Sequence, residues 1–96
     1  MKERPRSMRK ELIVIVLETI AEQFPESGLE LIDLEFTGSA GNRLVRVYLN
    51  KEGGISLDEC AEFSKRLSVV LDLKDPIKDI YTLEVSSPGG RKKNIL

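Results

Sequence analysis

The stretch Leu29–Asn50, LELIDLEFTGSAGNRLVRVYLN, decides how this chain folds. In its first half Ile32, Leu34 and Phe36 point to one side, and Leu31, Asp33 and Glu35 to the other. In its second half Val45, Val47 and Leu49 alternate with Leu44, Arg46 and Tyr48. A period of two is the signature of a half-buried strand. Between the halves, GSAGN supplies turn chemistry, so the two runs predict a β-hairpin.

Upstream, residues 8–24 (MRKELIVIVLETIAEQF) read as a helix. Ile13, Val16, Leu17, Ile20 and Phe24 share one face, and Glu11, Glu18 and Glu22 lie opposite. The β-branched run Ile13–Val16 also suits a strand, but the length of the pattern and the glutamate spacing favour helix. Pro25 and Gly28 end it. Ile15 falls on the glutamate side, either exposed or covered by something else. Downstream of the hairpin, Ser56 and Glu59 form an S-x-x-E capping box, with Ile55 and Cys60 placed as a hydrophobic staple. That second helix runs to Leu71 or Leu73, with Cys60, Phe63, Leu67 and Leu71 as its buried stripe and Glu62 paired with Arg66. KDPIKD breaks it, and Ile80–Ser86 forms a third strand.

The order α-β-β-α-β predicts a two-layer α+β sandwich. Both helices are expected on the sheet face of Ile32, Leu34, Phe36, Val45, Val47 and Leu49. A helical crossover sets the third strand parallel to the second; placed beside the first, it gives the sheet order 2-1-3. The other face carries Leu31, Asp33, Glu35, Leu44, Arg46, Tyr48, Thr82 and Glu84 and is left open. Asp33, Glu35, Arg46, Tyr48 and Glu84 are the expected partner contacts on it.

Ninety-six residues, 41% hydrophobic and 32% charged, make one globular domain without disulfide staples. The single cysteine suits a reducing cytoplasm, and the absence of histidine removes the commonest metal ligand and general base. No stretch approaches the ~20 apolar residues a bilayer crossing needs. The net charge of −1 is unevenly spread: residues 1–10 carry +4, residues 91–96 carry +3, and residues 11–90 carry −8. An acidic body with basic ends suits contact with a basic protein through the body, or with phosphates through the ends.

No motif amounts to an active site. Gly38–Gly41 (GSAG) has the G-x-x-G spacing of a KH loop, but it joins two strands and carries no positive charge, so a hairpin turn is the better account. Gly53 and Gly54 precede a helix without the spacing of a phosphate loop. Asp72, Asp75 and Asp79 fit no calcium loop and read as a solvated connector. Ser86 and Ser87 have no base beside them and are expected to bond neighbouring backbone. Cys60 lies in the first turn of the second helix but on its apolar stripe, which makes it a structural thiol. The reading is a non-enzyme without metal, cofactor or small-molecule substrate.

Three stretches extend this reading: GLELIDLEF, RLVRVYLNKEGGISLDECAEFSKRLSVVLD and YTLEVSSPG. Together, over Gly28–Gly89, they resemble the N-terminal domain of the RimP ribosome maturation factors. The resemblance implies a non-catalytic bacterial cytoplasmic factor that associates with the immature small ribosomal subunit. It would assist late maturation, including incorporation of a ribosomal protein near the decoding region. It also implies an α+β domain joined to an Sm-like β-barrel, with Ser86, Ser87, Pro88 and Gly89 matching the hinge between them. Relatives continue L-D-R-P at that point, whereas this chain reads Gly90-Arg91-Lys92-Lys93. Residues 1–89 are therefore expected to form the domain and residues 90–96 a basic tail, the barrel being absent through excision or truncation. The expected mode is a monomer docked to ribosomal protein; the alternative is RNA binding through the basic ends.

The placing of Cys60 is open to a direct check. An alkylating reagent should modify it slowly in the folded chain and at an ordinary thiol rate in denaturant; rapid native modification would reinstate a thiol enzyme.

Overall fold

The structure, a computed structural model, describes residues 7–95. Helix α1 (Met8–Gln23) precedes the strands β1 (Glu30–Ser39) and β2 (Asn42–Asn50); helix α2 (Leu57–Lys74) then leads to strand β3 (Tyr81–Ser86). The two-layer α+β architecture is the one expected. Both helices pack on one face of a three-stranded sheet, around a core that includes Leu12, Val16, Leu34, Val47, Phe63 and Leu67. The basic stretch before Ser7 lies outside the described residues.

Helix α2 is built as its sequence dictates. The Ser56 hydroxyl accepts from Glu59 N at 3.1 Å, and Glu59 Oε1 accepts from Ser56 N at 2.9 Å. Lys51 adds an ion pair to the same carboxylate. The helix buries Cys60, Phe63, Leu67 and Leu71.

Helix α1 differs in phase. It buries Leu12, Ile13, Ile15, Val16 and Thr19, while Leu17 is 42% exposed. Ile15, expected on the polar side, belongs to the core. Because α1 touches both β1 and α2, its buried arc is wide and centred on Leu12, Val16 and Thr19. Thr19 enters that arc because its hydroxyl donates to Ile15 O at 2.8 Å, which satisfies it locally. Phe24 then caps the helix, its ring centroid 5.2 Å from that of Phe63.

In the sheet, β1 is antiparallel to β2 and β3 is parallel to β2, in the order β1-β2-β3. The parallel relation is the expected one, but β3 lies beside β2 and not beside β1. A crossover to the neighbouring strand spans no intervening strand and is the shorter route for a single helix. The outer edge of β1 meets the C-terminal segment instead: Asn94 N donates to Ile32 O at 2.6 Å.

One further departure lies within β1. Leu31 pairs with Leu49 and Asp33 with Tyr48, so Ile32 is an extra residue in a β-bulge. The bulge lets Leu31 and Leu34 both enter the core, although alternation assigns Leu31 to the open face and Ile32 to the core. From Asp33 onward the expected faces hold.

The hairpin closes tightly. Gly38 has φ +93°, and a Cβ there would lie 2.3 Å from Asn42 O. Asp79, in the connector before β3, accepts from Gly41 N (2.9 Å) and Ile80 N (2.8 Å), and Arg43 lies 3.4 Å away. It therefore ties the hairpin end to the connector and is more than a solvated residue. The two backbone donors, aided by Arg43, hold its carboxyl below its ordinary value of 3.8.

These contacts yield two predictions. Gly38→Ala should lower stability by at least ~1 kcal/mol in urea unfolding, since its φ and close neighbour both oppose a side chain. Asp79 has a folded-state pKa below the unfolded one, so its contribution is complete above the unfolded value and is lost as pH falls through the folded one. The gap in urea midpoint between wild type and Asp79→Asn should thus be full at about pH 7 and close below about pH 4.

Candidate functional site

Because both helices lie on one side, the opposite sheet face is free to carry polar side chains. Strand register arranges them in rows: Asp33, Tyr48 and Ser86 in one, Glu35, Arg46 and Glu84 in the next, then Thr37, Leu44 and Thr82. All five expected contact residues therefore occupy two adjacent rows.

The middle row is an ionic ladder. Arg46 Nε donates to Glu84 Oε1 at 3.0 Å, and Arg46 Nη1 lies 3.6 Å from Glu35 Oε1. The hydrogen bond it donates to Glu84, with help from Tyr48, holds the Arg46 guanidinium above its ordinary pKa. Glu35 also accepts from Tyr48 Oη at 3.3 Å.

The Asp33 row is less accessible than its composition suggests. The Asp33 side chain is only 7% exposed. Its Oδ1 accepts from Leu34 N at 2.8 Å and from Arg9 Nη2 at 3.2 Å; Oδ2 accepts from Arg91 Nη1 at 2.9 Å. Tyr48 is buried as well, with the Arg91 guanidinium carbon 4.1 Å from its ring centroid. Arg91 Nη2 reaches Glu35 Oε2 at 2.7 Å. Burial works against the charge on Arg91, but Glu35 and Tyr48 outweigh it and hold its pKa above the ordinary value.

Arg91 arrives there through the stretch Ser86–Gly89. Ser86 ends β3 and its hydroxyl donates to Ser87 O at 2.9 Å. Gly89 adopts φ +60°, and Arg91 N donates to Pro88 O at 3.0 Å, closing a turn. The chain then crosses the open face toward the far edge, where Asn94 meets β1 and Lys93 pairs with Glu30 at 2.9 Å. Reading residues 90–96 only as a basic tail missed this contact. The available signal was the juxtaposition of an acidic strand face with a short basic segment one turn after the last strand.

The remaining motifs have structural occupations. GSAG forms the hairpin end. Gly53 and Gly54 turn the chain into α2, with Gly54 N donating to Lys51 O at 2.8 Å. Cys60 is buried, and desolvation, then the Glu59 charge, raise its thiol pKa. Among the described residues no three His, Cys, Asp or Glu side chains are grouped to hold a metal ion, and no helix is long and apolar enough to cross a membrane.

The open face thus brings together carboxylates, guanidinium groups and an aromatic ring, the ring lying beneath Arg91. A family model, the RimP N-terminal domain, matches residues 19–91, from within α1 through the whole sheet to Arg91. The match covers most of the chain and ends on the residue that crosses the open face. The chain belongs to the RimP family of ribosome maturation factors and carries its N-terminal domain.

Proposed function

We propose that this chain binds the immature small ribosomal subunit and assists its maturation, docking to a ribosomal protein through the open sheet face. It does so as a monomer in the cytoplasm and performs no catalysis. The family match supports a role in ribosome maturation, and the observation that carries the docking mode is the one-sided sheet. A face left without helices, with Glu35, Arg46 and Glu84 in one row, presents charge in a fixed pattern. Fixed charge of this kind selects partners and speeds encounter. The acidic balance of residues 11–90 favours a basic protein over phosphate. The hinge role of Ser86, Ser87, Pro88 and Gly89 belongs to this proposal: they set the direction in which the chain leaves the sheet.

RNA binding through the basic ends is the competing reading. Against it, Arg91 and Lys93 are engaged with Asp33, Glu35 and Glu30.

Co-sedimentation with mature and immature small subunits at ~50 and ~200 mM salt separates the two, because phosphate-driven binding falls steeply over that range. The expected result is binding to the immature subunit that persists at the higher salt. Glu35→Lys with Glu84→Lys should weaken it about tenfold or more, a change of ~1.4 kcal/mol, with the fold checked by circular dichroism. Asp33 is unsuitable for reversal because it is buried and paired. Binding confined to low salt and abolished by deleting residues 1–7 would overturn the proposal in favour of RNA.

A further inference from the structure

Arg91 is seated on the open face in the manner of a ligand. Its guanidinium carbon lies over the Tyr48 ring, 4.1 Å from the centroid, and its two terminal nitrogens reach different carboxylates, Asp33 at 2.9 Å and Glu35 at 2.7 Å. An aromatic face beneath and carboxylates at the edge match a planar, forked cation much better than an ammonium point charge.

The groups that receive Arg91 are held by parts of the chain other than its own segment. Asp33 is oriented by Leu34 N and by Arg9 of α1. Glu35 is oriented by Tyr48 Oη and flanked by Arg46. Strand pairing sets Tyr48 directly opposite Asp33. The segment that delivers Arg91 has its own attachments: a turn at Pro88, the bond from Asn94 N to Ile32 O, the bond from Arg9 to Asn94 O, the partly exposed pair of Lys93 with Glu30, and Ile95 packed at the margin of the core.

We propose that Tyr48, Asp33 and Glu35 form an arginine-recognition site, and that residues 90–95 are an intramolecular strap holding Arg91 in it. An arginine from a basic protein segment then gains the site by displacing Arg91. The inference rests on the reading of the open face as a docking surface and names the residue type that it recognises. A strap closed ~90% of the time lowers the apparent affinity for such a segment about tenfold.

The test uses a fluorescein-labelled peptide with arginines spaced by Gly-Ser pairs, and its lysine counterpart, followed by anisotropy at ~150 mM salt. Arg91→Ala should bind the arginine peptide about tenfold more tightly than wild type. Arg91→Lys should give a smaller gain, since it keeps the charge and loses the fork. The lysine peptide should bind several-fold more weakly than the arginine peptide to wild type and to Arg91→Ala, and Tyr48→Leu in the Arg91→Ala background should remove both the gain and the preference. Thermal melting of each variant checks the fold. Unchanged or weaker arginine-peptide binding by folded Arg91→Ala, or equal binding of the two peptides, would overturn the proposal. So would a response seen only with an oligouridine probe. No ribosome enters the assay, so failure of subunit binding and failure of this site are read separately.

Discussion

Asp33 carries a carboxylate almost wholly withdrawn from water, and such a group persists only where donors and cations surround it. They come from three separate places: Leu34 N from its own strand, Arg9 from the first turn of α1, and Arg91 from beyond β3. Arg9 also donates through Nε to Leu34 O at 2.8 Å, so one side chain fastens the helix start to the strand at two points just after the bulge. Breaking a buried pair by removing one partner typically costs ~3–5 kcal/mol, because an uncompensated charge is left behind. The position of α1 on β1 and the closure of the final segment thus answer to the same carboxylate.

The bulge at Ile32 makes this possible. Without an extra residue, strict alternation would direct Leu31 away from the core or Asp33 into it. With it, Leu31 and Leu34 reach the helices while Asp33 stays on the opposite face beside Tyr48. The same irregularity leaves the Ile32 carbonyl at the strand edge to accept from Asn94 N. Bulges recur where a sheet must re-aim a side chain, and this one does so without ending the pairing of β1 with β2.

What could be read in the sequence was what neighbouring residues decide among themselves. The capping box of Ser56 and Glu59, the stripe Cys60–Phe63–Leu67–Leu71 and the alternation from Asp33 to Leu49 involve short spacings and strong periods, and they stand in the structure as read. The departures depend on groups far apart in the chain. The phase of α1 is set by its being wedged against both β1 and α2, which no hydrophobic pattern within Met8–Gln23 discloses. The place of β3 depends on the route of the crossover, and alternation fixes a strand's faces but not its neighbour. Asp33 looked like a surface residue because its two arginine partners lie 24 and 58 positions away.

The charge distribution is where this non-local character matters most for function. Read linearly, an acidic body and basic ends are two separate features, one suited to a protein partner and one to phosphate. In the folded chain part of each cancels part of the other: Arg9 and Arg91 face Asp33, Arg91 faces Glu35, and Lys93 faces Glu30. The field above the open face is therefore weaker with the final segment closed than with it lifted, and lifting it exposes carboxylates and releases cations together. Partly exposed ion pairs of this kind are screened by salt and contribute little each. The core beneath, built on Phe63, Leu67, Leu34 and Val47, is insensitive to salt by comparison. The strap proposed above therefore opens by releasing these ion pairs, the Asn94 bridge and the packing of Ile95, while the core under the sheet stays intact.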